Sequence, residues 1–143
     1  MLNGALVLVG EDEPFIALDV ALAIEDAGGT VLGPAASVRE ALELIKDRTV
    51  SAAILDVSLI DGDISPVAEA LIARGVPILL QSGVGLPPAL AARFPDLAFR
   101  LKPYPASRLV SQLADMIAAQ DGKRHSVDSP ESAPLVLPDS RSP

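Results

Sequence analysis

The 143-residue chain contains no cysteine, which excludes a disulfide framework, a thiol nucleophile and any zinc–cysteine site. Aromatic residues are scarce, at 3%, although 50% of the residues are hydrophobic. The core must therefore be built from Ala, Val, Leu and Ile, side chains that suit close-packed layers of helix and sheet. Positive charge is also in short supply. Lys and Arg number 11 against 19 Asp and Glu, a formal net charge of −8, and such a balance argues against non-specific binding to nucleic acid. No apolar run approaches the roughly 18–20 residues of a membrane span. The opening Met1-Leu2-Asn3-Gly4 lacks the basic stretch of a signal peptide. A soluble cytoplasmic protein of one domain is expected, large enough to bury roughly two-thirds of its unfolded surface.

Five short apolar runs are present: Ala5–Val9, Thr30–Gly33, Ala52–Asp56, Val76–Gln81 and Leu97–Leu101. Runs without polar alternation suit parallel strands covered on both faces. Helical stretches alternate with them. Phe15 to Ala27 follows Pro14, which suits a first helical turn, and stops at Gly28-Gly29. Ser37-Val38-Arg39-Glu40 has the spacing of a capping box, with Ala41, Leu42 and Ile45 continuing at helical intervals. Ser65-Pro66 opens a helix that runs to Arg74 and stops at Gly75. Pro87–Phe94 is a short helix at best, and Leu109, Leu113, Met116 and Ile117 stripe a last helix over Pro105–Ala119. The alternation implies an α/β fold, a parallel sheet with helices on both faces. The domain is expected to span residues 1–120. Residues 121–143, rich in Ser, Pro and charge around a small patch at Leu135-Val136-Leu137, are expected to be a disordered tail with no output domain.

Four strand ends carry polar groups: Glu11 and Asp12 after the first, Asp56 after the third, Ser82 after the fourth and Lys102 after the fifth. In a parallel sheet these ends share one edge, the edge where open α/β sheets place their sites. Two unit charges about 5 Å apart repel by roughly 3 kcal/mol at an effective dielectric near 20, so three carboxylates together need a counter-charge. A hard dication with oxygen ligands, Mg2+, meets that need, and Lys102 adds a second positive charge. Such a site suits phosphoryl transfer onto Asp56 as nucleophile. Ser82 and Lys102 would bind the phosphoryl oxygens.

Gly10-Glu11-Asp12-Glu13-Pro14, Leu55-Asp56-Val57, Asp61-Gly62, Gln81-Ser82-Gly83 and Leu101-Lys102-Pro103 together resemble the receiver domain of bacterial two-component response regulators, over about residues 4–119. The resemblance implies a flavodoxin-like fold with strand order 2-1-3-4-5. It implies that Glu11 and Asp12 hold Mg2+ together with Asp56 and the backbone carbonyl of Ser58, and that Asp56 is phosphorylated. Ser82 would sense phosphorylation, Phe99 would be the aromatic switch, and Pro103 would follow Lys102 through a cis bond. The phosphoryl donor would be a sensor histidine kinase or a histidine phosphotransfer protein. The chain would then catalyse only its own phosphorylation and dephosphorylation. Partners beyond the donor would be an unnamed downstream protein and, in one arrangement, a second copy in a homodimer, with neither nucleic acid nor membrane among them.

Two features depart from the common pattern. The loop after Asp56 reads Val-Ser-Leu-Ile-Asp-Gly without Met-Pro, and the fourth helix is curtailed, as in a subgroup of stand-alone receivers that read Phe-Ala-Thr-Gly-Tyr where this chain has Leu-Leu-Gln-Ser-Gly-Val. Other residues have plainer explanations: Tyr104 in packing, Glu13 facing water, Asp61 and Asp63 in a loop turn, His125 in the tail. Competing functions fit less well. A flavodoxin-type phosphate loop would not carry Glu11-Asp12-Glu13, and a haloacid-dehalogenase-type hydrolase would need Asp at position 58, where Ser58 stands. A phosphate sink or relay, or a scaffold that works without phosphorylation, would share the receiver fold.

Overall fold

The computed structural model describes residues 1–128. Its elements are β1 (Leu6–Gly10), α1 (Pro14–Asp26), β2 (Thr30–Ala35), α2 (Val38–Ile45), β3 (Ala52–Asp56), a small hairpin of β4 (Ser58–Leu59) and β5 (Gly62–Asp63), α3 (Ser65–Ala73), β6 (Ile78–Ser82), α4 (Pro88–Arg93), β7 (Ala98–Leu101) and α5 (Ala106–Asp128). The main sheet has the order β2-β1-β3-β6-β7, with every pair parallel. Numbering its five strands alone gives the expected 2-1-3-4-5.

The period-two geometry of a strand sends alternate side chains to opposite faces, and the apolar runs split accordingly. Leu8, Ala53, Leu55, Ile78 and Leu80 face α2, α3 and α4, meeting Val38, Ala41, Ile45, Val67, Leu71 and Leu90. Val7, Val9, Ala52, Ile54 and Leu79 face α1 and α5, meeting Val20, Ile24, Leu109, Val110 and Leu113. Both faces are covered, so the central strands β3 and β6 are buried throughout. The sheet is doubly wound, and α4 is a short helix of six residues.

Several local outcomes differ from the expectations. Glu13 does not simply face water: its Oε1 accepts from Phe15 N at 3.1 Å and caps α1, with Pro14 in the first turn. Asp63 keeps to the expected loop turn, its Oδ1 accepting from Ser65 N, two residues on, at 2.7 Å. β2 continues to Ala35 through a cis Gly33-Pro34 bond, with a register irregularity between Leu8 and Gly10 of β1. The last helix runs past the expected end at Ala119 as far as Asp128. From Ala106 to Asp128 the sequence has no proline, and Gly122 alone is a poor helix former. The remainder of the expected tail, including Leu135-Val136-Leu137, lies outside the described residues.

No helix among the described residues is long and apolar enough to cross a membrane.

Candidate functional site

Backbone hydrogen bonds continue to the carboxyl edge of the sheet and fix what stands there. Glu11 N donates to Ala35 O at 2.9 Å, Val57 N to Gln81 O at 3.0 Å and Lys102 N to Ser82 O at 2.9 Å. The residues just beyond β1, at the end of β3 and just beyond β7 therefore have little freedom to separate.

Glu11, Asp12 and Asp56 converge, each offering a carboxylate oxygen within 4.8 Å of the others. Glu11 is 2% exposed and Asp56 8%, while Asp12 is half-buried. Lys102 lies between the two buried acids. Its Nζ is 2.8 Å from Glu11 Oε1 and 2.7 Å from Asp56 Oδ2. Burial of a charge is tolerable only where it is paired and hydrogen-bonded, and each of these acids has further donors. Glu13 N donates to Glu11 Oε2 at 3.1 Å, and Ser58 N to Asp56 Oδ1 at 3.3 Å.

The electrostatics follow from this packing. Burial holds the Glu11 carboxyl above the ordinary carboxylate range, against the lowering influence of the Lys102 and Glu13 hydrogen bonds. For Lys102 burial opposes the charged form, but hydrogen bonds to Asp56 and Glu11 outweigh it and hold the ammonium above its usual value. Two acids share one cation and a third lies beside them, which leaves an excess of negative charge lined by hard oxygen donors. That donor set fits a hard dication such as Mg2+, which binds through a few carboxylates and keeps several waters.

Of the other expected site residues, Ser82 and Pro103 stand at the same edge and Phe99 lies inside β7, three residues before Lys102. Ser82 is buried at the end of β6, and its Oγ accepts from Val84 N at 3.1 Å. The Lys102-Pro103 peptide is cis. Phe99 is half-buried beside Leu80, its register partner on β6, and packs against the α2–α4 side of the core. A cavity of about 410 Å3 opens beside Lys102, walled also by Ile16, Asp19, Gln81, Tyr104 and Leu109. A larger depression of about 600 Å3 lies at the opposite end of the strands, around Asn3, Ser51, Arg74 and Gln120. Neither the acids nor Lys102 reach it.

Two residues of the motifs quoted above, Gln81 and Asp61, make contacts that the sequence does not foretell. Gln81 is buried, with Nε2 3.5 Å from Glu11 Oε1; an amide ending the otherwise apolar Ile78–Leu80 run is the signal that marks it. Asp61, expected in a plain turn, reaches across to α2: its Oδ1 accepts from Val38 N at 2.6 Å and its Oδ2 from Arg39 N at 3.1 Å. Those two donations, Val38 first, hold its carboxyl below the ordinary range.

Known structures share this architecture. SdrG from Sphingomonas melonis Fr1 is 31% identical, with a TM-score of 0.64 over 84% of this chain and 98% of that one. The signal receiver domain of NarL from Mycobacterium tuberculosis is 30% identical, with a TM-score of 0.67 over 81% of this chain and 98% of that one. The response regulator PhyR from Brucella abortus shares the fold at 22% identity and a TM-score of 0.72; the match takes in 87% of this chain but only 52% of PhyR. No protein-family model matches the chain, and no curated protein matches it by sequence. The chain belongs to the receiver domains of response regulators. Its role is accordingly that of a signalling protein rather than a conventional enzyme.

Proposed function

We propose that the protein is a phosphorylation-dependent switch that accepts a phosphoryl group on Asp56. The observation that supports this best is the sharing of Lys102 between the buried carboxylates of Glu11 and Asp56, at 2.8 and 2.7 Å. A merely structural ion pair needs one acid for one base. Here two buried acids and a third close by surround a single ammonium, an arrangement suited to chemistry that brings further charge.

Glu11, Asp12 and Asp56, with the Ser58 backbone carbonyl, would hold Mg2+, which when bound offsets negative charge on a phosphoryl group. An Asp56 carboxylate oxygen attacks the phosphorus of a phosphohistidine on a sensor kinase or phosphotransfer protein. The P–O bond forms as the P–N bond breaks, and the imidazole leaves with the electron pair. Lys102 turns from carboxylate to phosphoryl oxygen, and the Ser82 hydroxyl donates to another. Phe99 then changes its exposure and alters the surface a downstream protein sees. Such a switch requires two packings of nearly equal free energy that the phosphoryl group biases. Passing the group on as a sink or relay uses the same chemistry.

Incubation with acetyl phosphate and Mg2+ is expected to add one phosphoryl group, seen as a mass increase in the intact protein. Asp56→Asn or removal of Mg2+ with a chelator should abolish it. Full labelling of the Asp56→Asn variant would place the acceptor elsewhere.

A further inference from the structure

The loop that follows Asp56 is held to the body of the protein by two side chains, Leu59 in the core and Asp61 on α2. Between Ser58 and Asp63 only Leu59 is buried, and Ile60 at the tip is 72% exposed. Two cross-strand pairs, Ser58 with Asp63 and Leu59 with Gly62, shape the hairpin, and Ile64 N donates to Val57 O at 2.8 Å to close its base. Leu59 anchors the hairpin in the core, but none of these contacts ties the tip to the amino end of α2. That tie comes from Asp61, whose two carboxylate oxygens take the Val38 and Arg39 amides, with a longer bond from Ile60 N to Ala36 O at 3.3 Å beside it.

From the side of α2 the contact completes a set. A helix leaves its first amides without internal partners. Ser37 takes Glu40 N at 3.0 Å. Asp61 takes the two before it, and its negative charge lies where the helix dipole favours one. The bond spans 22 and 23 residues of sequence, so it joins two separate loops at the site edge.

We propose that Asp61 is a positioning residue for the acceptor site: by gripping the amino end of α2 it fixes the loop whose Ser58 amide addresses Asp56 Oδ1. The proposal rests on the reading of Asp56 as acceptor and of Ser58 as a contributor to the Mg2+ site. The hairpin carries Ser58 on one strand and ends two residues later at the tip. Release of the tip therefore reaches Ser58 through a single pair of short strands.

Three variants separate positioning from helix capping: Asp61→Ala, Asp61→Asn and Ser37→Ala. The last removes a cap from the same helix without touching the loop. Amide hydrogen exchange at Ser58 in the metal-free protein and Mg2+ affinity by calorimetry are the readouts. Asp61→Ala is expected to speed Ser58 exchange roughly tenfold and to weaken Mg2+ binding about tenfold, the low end for residues that orient metal ligands. Asp61→Asn, which keeps one acceptor oxygen, should fall between. Ser37→Ala should lower the melting temperature yet leave both readouts within about twofold of the parent. Unchanged Ser58 exchange and Mg2+ affinity in Asp61→Ala, or equal losses in Ser37→Ala, would overturn the positioning role alone. A parent protein that takes up neither Mg2+ nor a phosphoryl group would overturn the acceptor reading, and the role with it.

Discussion

Replacing Lys102 with methionine is expected to lower stability by about 3 kcal/mol at neutral pH in metal-free buffer, as breaking a buried ion pair from one side does. The variant keeps the aliphatic stem and removes the cation that stands 2.8 Å from Glu11 and 2.7 Å from Asp56. Two carboxylates, 2% and 8% exposed, then face each other with Asp12 close by. Two further signs distinguish this cause from lost packing. Millimolar Mg2+ should restore part of the loss, because a ligand that binds only the folded state stabilises it by mass action. The deficit should also shrink in acid. Glu11 already lies above the ordinary carboxylate range through burial, and loss of Lys102 raises it further. A carboxyl whose folded value is raised binds its proton more tightly in the folded state, so stability grows as pH falls through that value towards the unfolded value of about 4.3. Urea titrations at pH 7 and pH 5, with and without Mg2+, measure all three effects. A deficit indifferent to both pH and Mg2+ would refute the electrostatic account.

A second large loss is expected from Gly33→Ala. Gly33 has φ +97°, and an added Cβ would stand 2.8 Å from Ala35 N and 3.1 Å from Val9 O. Both obstacles are backbone atoms of the β1–β2 pair, and neither can swing aside like the end of a side chain. The left-handed backbone alone costs a non-glycine residue of order 1–3 kcal/mol. With the steric conflict added, a loss of about 3 kcal/mol and a fall in melting temperature of roughly 10 °C are expected. Ala35 O receives the Glu11 amide at 2.9 Å, so phosphoryl labelling should fall as well. Gly83→Ala is the control. A Cβ there meets nothing within 4 Å, and its stability should stay within about 0.5 kcal/mol of the parent. Equal melting temperatures for the two variants would remove the steric argument.

Much of this architecture was readable because its signals are local. Ala52–Asp56 and Val76–Gln81 are apolar runs of strand length, and parallel pairing follows from the helices between them. Convergence of Glu11, Asp12, Asp56, Ser82 and Lys102 then follows from topology, since parallel strands deliver their ends to one edge. The unread features are tertiary. Nothing near Asp61 in sequence says that its acceptors serve Val38 and Arg39, more than twenty residues away. Turn chemistry explains an Asp-Gly pair equally well, so the local signal pointed to the weaker role. The capping role of Glu13 is not legible because capping depends on where the helix begins, a boundary Pro14 alone does not settle. The end of the last helix is not legible because a shift towards polar residues marks exposure as readily as the loss of helix. The contact of Gln81 with Glu11 is not legible because within Gln81-Ser82-Gly83 the hydroxyl of Ser82 carries the motif's chemistry.

Tyr104 closes the cavity beside Lys102 and pairs with the Gln112 side chain on α5. It is the single tyrosine in a chain without tryptophan. Ultraviolet emission of the unlabelled protein therefore comes almost wholly from one ring on the wall of the charged pocket. The scarcity of aromatic residues, which left the core to aliphatic packing, also leaves a single native fluorophore beside the site, with no other comparable emitter to blur its signal.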